Sequence, residues 1–273
     1  MLLIAFVTIA LLLIYPLYNI FISSFIHNET GNLTLQNYID ILGRSYYRNA
    51  IYNSIFIGFS SMVGALLIGV PLAFFTSRYN IKGKSVISTL AILALVSPPF
   101  IGAYAWITML GSNGWLRNAI ESIGIPMPTI YGPLGIIIVF SLKLYPFVYL
   151  LTSGALRNIN SSLEDAAESL GYSPFSKFIH VTLPLVLPAI STGALLAFVL
   201  SLADFGTPSI IGRNFRVLST LAYNLFTSEM GGNPGLASTV SILLILVSLI
   251  FVYIQRLIIR KKDFASHMLN PPE

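Results

Sequence analysis

Cysteine is absent from this chain of 273 residues, so neither a disulfide nor a thiolate metal site can form within it. Charge is nearly as scarce. Asp, Glu, Lys and Arg make up 9% of the residues, against about 25% in a soluble domain. Hydrophobic residues reach 55%, and the mean hydropathy is +0.81. Water is therefore not the main solvent of this fold. Also missing is a phosphate-cradling Gly-x-x-x-x-Gly-Lys-Ser/Thr segment, so the chain is not expected to hydrolyse ATP itself. The histidines, His27, His180 and His267, stand far apart and read as surface residues. No Ser/His/Asp or paired-carboxylate arrangement stands out, so no enzyme active site is expected. A net charge of +5 would suit nucleic acid, yet the basic residues flank apolar runs, which is the pattern of membrane topology instead.

What is abundant is apolar sequence in long runs. Crossing a bilayer core takes about twenty apolar residues in a helix. Six stretches qualify: 2–21, 52–75, 86–110 with a break at Ser97-Pro98-Pro99, 134–151, 185–203 and 236–254. Backbone amides cannot stay unpaired in lipid, so spans are helices or a closed barrel. Barrel strands are shorter and alternate apolar with polar; these runs are long and apolar all round, so helices are expected. The first run lacks a basic leading region and a small-x-small cleavage site, so it reads as a retained span rather than a secretory signal.

Lys and Arg set the topology. With the N-terminus inside, the inner segments hold Arg78, Lys82, Lys84, Arg157, Lys177, Arg256, Arg260, Lys261 and Lys262, and the outer ones Arg44, Arg48, Arg117, Arg213 and Arg216. That bias favours both termini in the cytoplasm. Residues 28–47, 111–132 and 205–235 then lie outside, where 33–47 suggests a short helix. Gly212–Arg216 and Glu229–Pro234 become candidate contacts for an external partner.

Between the fourth and fifth runs lies the longest polar segment, Glu164-Asp165-Ala166-Ala167-Glu168-Ser169-Leu170-Gly171-Tyr172-Ser173-Pro174 and onward to Pro184. Ser161 and Glu164 fit a capping box. Leu163, Ala166, Ala167 and Leu170 fall on one helical face. Gly171 follows the last periodic residue, where a left-handed cap belongs, and Ser173-Pro174 restarts a helix. Pro184 and Pro188 are expected to bend the chain back into the membrane. The segment predicts helix, glycine corner, helix. A loop packed on its own bundle is one reading; its length and double capping argue for a functional one.

This segment resembles the cytoplasmic signature loop of permease subunits from binding-protein-dependent ABC importers. Asp165-Ala166-Ala167, three residues, Gly171, nine residues, then Val181-Thr182-Leu183-Pro184 follows that family's spacing throughout. Asp165 stands where the family has glutamate, and Val181 where it has isoleucine. The resemblance implies a coupling loop, about 157–184, that inserts into a separate ATP-binding cassette subunit. Glu164, Asp165, Ala166, Ala167, Glu168, Gly171, Leu183 and Pro184 would form it, with Ala166, Ala167 and Gly171 allowing close approach. Asp165 and Glu168 would make polar contacts. Tyr172, Phe175 and Phe178 would anchor the loop in the motor or pack on the bundle's own base. ATP is used by that partner, and no cofactor is expected on this chain. Further implied partners are an extracytoplasmic solute-binding protein, membrane lipid and a second permease half, identical, different or fused.

Two charges fall in or beside spans. Lys143 lies mid-run in Phe140-Ser141-Leu142-Lys143-Leu144-Tyr145-Pro146, where a charge costs at least about 2.5 kcal/mol. It is a candidate for the translocation pathway, meeting an anion or a carboxylate; a structural pair or a snorkelling side chain is the alternative. Asp204, at the outer end of the fifth run, is a candidate for the pathway or outer gate, or an ordinary helix-end charge. Gly64, Gly69, Pro71, Pro98, Pro99, Gly102, Pro146, Pro188 and Gly193 are candidate bend points.

The expected fold is an all-α membrane protein, a six-span helical bundle with a cytoplasmic helix-turn-helix coupling loop. Residues 1–260 form one domain, and 261–273 a tail or the start of a linker. The expected place is a bacterial or archaeal plasma membrane. Leu202-Ala203-Asp204-Phe205-Gly206-Thr207-Pro208 resembles a segment of ferric iron permeases, and is similar to segments of polyamine and aminoethylphosphonate permeases. Iron(III) is the expected substrate, although a lone mid-membrane lysine disfavours a bare cation. A non-transport six-span scaffold or membrane enzyme is the competing class; it leaves the coupling-loop spacing unexplained.

Overall fold

The computed structural model describes residues 7–8, 10–28, 30–96, 98–228 and 232–267. A π turn, Ala10–Ile14, leads into α1 (Tyr15–Ser24). There follow α2 (Gln36–Gly43), α3 (Ser45–Arg78), α4 (Lys84–Val96), α5 (Pro99–Leu110), α6 (Trp115–Ser122), α7 (Pro133–Arg157), α8 (Ser161–Ser169) and α9 (Pro174–Lys177). A second π turn, Phe178–Thr182, feeds α10 (Leu183–Ala203), then α11 (Gly206–Ile211), α12 (Leu218–Thr227) and α13 (Pro234–His267). Among the described residues no strand forms; the extended pairing is one bridge, Ile26 with Leu33.

Four helices are long and apolar enough to cross a membrane: Ser45–Arg78, Pro133–Arg157, Pro174–Ala203 and Pro234–Ile259. A shorter apolar helix, Leu11–Ser24, overlaps the second half of the first expected span and runs three residues past it; residues 1–6 and 9 are outside the described ones. The third expected span is broken. Lys84–Leu95 and Phe100–Ser122 meet at 116°, with Pro98 extended at ψ 143°. Each proline disfavours helical backbone in the residue before it, so two in succession end one helix and start another.

The core is a three-helix unit of α3, α7 and α10, with Ile57 and Ala65, Phe140, Leu144 and Val148, and Ala197 fully buried between them. Lipid tails are as apolar as leucine, so close van der Waals fit rather than water exclusion holds these helices together. Val148 shows how. A Cβ on Gly69 would come within 2.8 Å of the Val148 Cβ, and one on Gly193 within 2.8 Å of the Val148 Cα. Two helices thus close on one valine from α7, each through a glycine. Gly64 meets Ser141 in the same way. These three glycines serve close approach, and α3 and α10 continue as helices through them and through Pro71 and Pro188. Toward the C-terminal ends of α3 and α7, hydroxyls add polar links between helices, Tyr149 to Ser88 at 2.6 Å and Ser77 to Ser153 at 3.1 Å.

Large apolar side chains remain exposed around the bundle, Leu12, Leu67, Leu93 and Ile250 among them, as a lipid-facing surface requires. The loops assigned to the outer side gather at one end. Asn53 donates to the Arg216 carbonyl at 2.9 Å, the Leu218 N–H to Ser54 Oγ at 2.7 Å, and the Gly132 N–H to the Ile211 carbonyl at 2.9 Å. The expected outer helix is α2. Arg213 and Arg216 lie over the rings of Tyr131 and Tyr46, at 3.9 and 4.7 Å from the centroids.

Candidate functional site

The polar segment folds as two short helices at a corner. Asn160, one residue ahead of the expected cap Ser161, closes the N-terminus of α8: its Oδ1 accepts the Ser162 N–H at 3.1 Å. The capping-box side chains of Ser161 and Glu164 lie outside the described ones. At the far end, the Gly171 N–H donates to the Glu168 carbonyl at 2.9 Å, and the Tyr172 N–H to the Ala167 carbonyl at 3.1 Å. That pair is a Schellman closure, and it places Gly171 at φ +83°, where a Cβ would be strained. Ser173 then caps α9, its Oγ accepting the Ser176 N–H at 3.3 Å with Pro174 at the first turn.

An ion pair spans the corner. Lys177 Nζ lies 2.9 Å from Glu168 Oε2. Its hydrogen bond and charge hold the exposed Glu168 carboxyl below the usual carboxylate range. Glu168 is therefore engaged within the elbow. Asp165 and Ala166 are exposed, whereas Ala167 is buried at 6%. Ala167 thus lies on the elbow's packed side, unlike Ala166 beside it. Helical phase explains the split, since consecutive residues sit about 100° apart. Leu163, Leu170 and Phe175, at 49%, 79% and 72% exposed, form the outward apolar surface.

Phe178 takes the other side of the choice left open by the sequence. Its ring meets Phe74 of α3 edge to face, 4.8 Å between centroids, so it packs on the bundle. Leu183 joins the cluster of Ala73, Leu156 and Val186, while Pro184 is exposed. Neither Pro184 nor Pro188 ends the helix; Pro174–Ala203 runs as one span. At Pro184 the π turn explains this. The Leu183 N–H reaches the Phe178 carbonyl, and the widened turn relieves the clash a proline ring makes with the turn behind it. Between α3 and the elbow lies a groove of about 540 Å³ lined by Phe74, Phe75, Arg78, Tyr79, Phe175 and Lys177. The α3 residues were missed in the sequence; the run Phe74-Phe75-x-x-Arg78-Tyr79 at a span's end was the available signal.

A second site lies within the bundle. Lys143 of α7 and Asp204, just after α10, were separate candidates; the fold brings them together at 2.5 Å, Nζ to Oδ2. They line a cavity of about 370 Å³ with Leu95, Phe100, Phe140 and Phe147. Phe100 starts the helix after the proline break and meets Phe205 at 5.4 Å. Among the described residues no group of three His, Cys, Asp or Glu is placed to hold a metal.

Residues 65–263 match the family described as binding-protein-dependent transport system inner membrane component. The chain belongs to that family. That family is one of inner membrane components of transport systems, and four helices long and apolar enough to cross a membrane make the chain a multi-pass membrane protein. Among curated relatives, the permease is 30% identical over 257 residues to a ferric transport system permease protein of Actinobacillus pleuropneumoniae, covering 93% of this chain and 37% of that one. It is also 30% identical over 228 residues to a spermidine/putrescine transport system permease protein of Haemophilus influenzae, covering 81% and 78%. The permease thus spans about two fifths of the length of its ferric relative. In fold it is similar to a chain of a bacterial alginate ABC transporter crystallised with an alginate pentasaccharide-bound periplasmic protein. That match has TM-score 0.75 and 19% identity, and covers 93% and 91% of the two chains.

Proposed function

We propose that this permease forms one half of the solute pathway of an ATP-driven importer, and that residues 157–184 face the cytoplasm and dock on a separate ATP-binding cassette subunit. The observation that carries the docking role is the Schellman corner at Gly171, which falls at the signature-loop spacing and turns Leu163, Ala166 and Leu170 outward. Small and apolar outward residues suit a cleft on another protein. In this reading Asp165 and Glu164 meet the motor first, and Glu168 braces the elbow through Lys177. Phe178 on Phe74 carries the displacement into α3, and Leu183 and Pro184 carry it into α10. Lys143 and Asp204 belong to the pathway. Both termini face the cytoplasm, residues 1–260 act as one domain, and 261–273 are a tail or the start of a linker. A second permease half completes the pathway, and an extracytoplasmic binding protein delivers the solute to the outer loops.

The substrate we favour is iron(III), on the 30% identity to the ferric permease and the Leu202–Pro208 segment. A polyamine is the second reading, on equal identity to the spermidine/putrescine permease. The test is ATPase stimulation in proteoliposomes holding the permease, its motor and its binding protein. Iron-loaded binding protein should stimulate hydrolysis. Stimulation by a spermidine-loaded protein alone would end the iron assignment, and failure of any motor to copurify would end the docking role.

A further inference from the structure

We infer that Lys143 and Asp204 act unequally, and that together they make the cavity at the Pro98–Pro99 break a filter against net positive charge. The solute that crosses is neutral or anionic and presents oxygen atoms to Lys143. This rests on the transport reading above and deepens it by naming a class of substrate.

Asp204 is the fixed member of the pair. Its Oδ1 accepts the Thr207 N–H at 3.0 Å, and its Oδ2 takes Lys143 at 2.5 Å and the Thr207 hydroxyl at 3.5 Å. The Asp204 backbone carbonyl accepts the Ser219 hydroxyl at 3.1 Å. The side chain is 8% exposed. A carboxylate offers about four acceptor sites, so little of its capacity is left for a visitor. Lys143 differs. Its side chain is 23% exposed, and Asp204 engages one of the roughly three protons an ammonium donates.

The charges of the pair nearly cancel, but the hydrogen-bonding capacity that remains is donor, not acceptor. The other walls are apolar, and the Phe205 ring is already stacked on Tyr223 at 4.8 Å. A polycation entering here meets an ammonium and a carboxylate that is already engaged, in surroundings of low dielectric where like charges repel strongly. An anionic oxygen meets spare donors. Asp204 weakens that attraction, as a site that must also release its cargo requires. Iron(III), if it is the cargo, crosses inside a shell of anionic oxygen ligands.

The experiment uses the complete importer in proteoliposomes with a potential-sensitive dye. Radiolabelled iron(III), molybdate and spermidine are each presented with the binding protein. Accumulation of iron or molybdate without an inside-positive potential is expected. Lys143→Met should slow uptake at least about tenfold, and Lys143→Arg less than about threefold. The exchange Lys143→Asp with Asp204→Lys restores opposite charges but loses the bonds from Thr207; it should reach the membrane with a lowered melting temperature and not regain uptake. Spermidine accumulation, an inside-positive potential that grows with iron, or full uptake by the exchanged variant would each overturn the filter. Molybdate uptake without iron would retire the iron assignment and leave the filter standing. Iron uptake with an inside-positive potential would do the reverse.

Discussion

Phe178, in the π turn that leads into α10, packs edge to face on Phe74 near the C-terminal end of α3, with 4.8 Å between ring centroids. The two residues are far apart in sequence, and their contact joins the elbow to the helix at the centre of the core. Such pairs contribute about 0.5–1.5 kcal/mol beyond burial. Phe178→Ala should therefore leave the permease in the membrane and lower the ATPase stimulation given by the loaded binding protein. Phe74→Ala should do the same, and the double variant should be no worse than either one. Additive losses in that cycle would show that the rings act separately.

Gly171 and Gly193 should fail for different reasons. A Cβ on Gly171 meets nothing within 4 Å, but the backbone sits at φ +83°. Gly171→Ala should cost about 1–2 kcal/mol locally, read as faster amide exchange at Tyr172, with the global melting temperature nearly unchanged. Gly171→Asp should abolish coupling while the permease still reaches the membrane. Gly193→Ala instead drives a methyl against the Val148 backbone, and overpacking of this kind costs about 1–3 kcal/mol. It should lower the melting temperature of the solubilised permease.

The cap of α8 offers a sharper discrimination. Asn160→Ala should remove the bond to the Ser162 amide and destabilise the helix by about 1 kcal/mol. Ser161→Ala should have a smaller effect. Amide exchange at Ser162 reports both, and the opposite ranking would return the cap to Ser161.

The Glu168–Lys177 pair sets a pH window. Lys177 lowers the Glu168 carboxyl below its ordinary 4.5, so the pair favours the closed corner above that ordinary value. The contribution fades as pH falls through the lowered one. At neutral pH the brace is complete. Carboxyl NMR of the solubilised permease should show Glu168 titrating below an ordinary exposed glutamate, and Lys177→Met should return it to the ordinary range.

Four of the six expected spans were legible because lipid demands long apolar helices, and the elbow because caps and corners are written in local chemistry: Gly171, Ser173 and Pro174 stand where they were expected. Less legible was whatever depends on distant packing. The approach of Lys143 to Asp204 follows from how α7 meets α10, and no local pattern encodes it. Ala167 turned inward because α9 and the π turn pack against one face of α8, and Ala166 beside it is identical in type. The prolines were legible at one place and not at another: the break at Pro98–Pro99 falls where the sequence put it, whereas Pro184 is absorbed by a widened turn that its own sequence does not announce.

That widened turn, Phe178–Thr182, also fixes a rotational phase. Each residue of a helix advances the chain by about 100°, so the extra residue it houses decides which way α8 points when α10 is held by its neighbours. Removing one residue there would swivel the elbow about the axis of α10 and swing Leu163 and Leu170 off their present bearing, even with every span intact. The bearing of the elbow on the bundle is thus stored in a count of residues as much as in their identities.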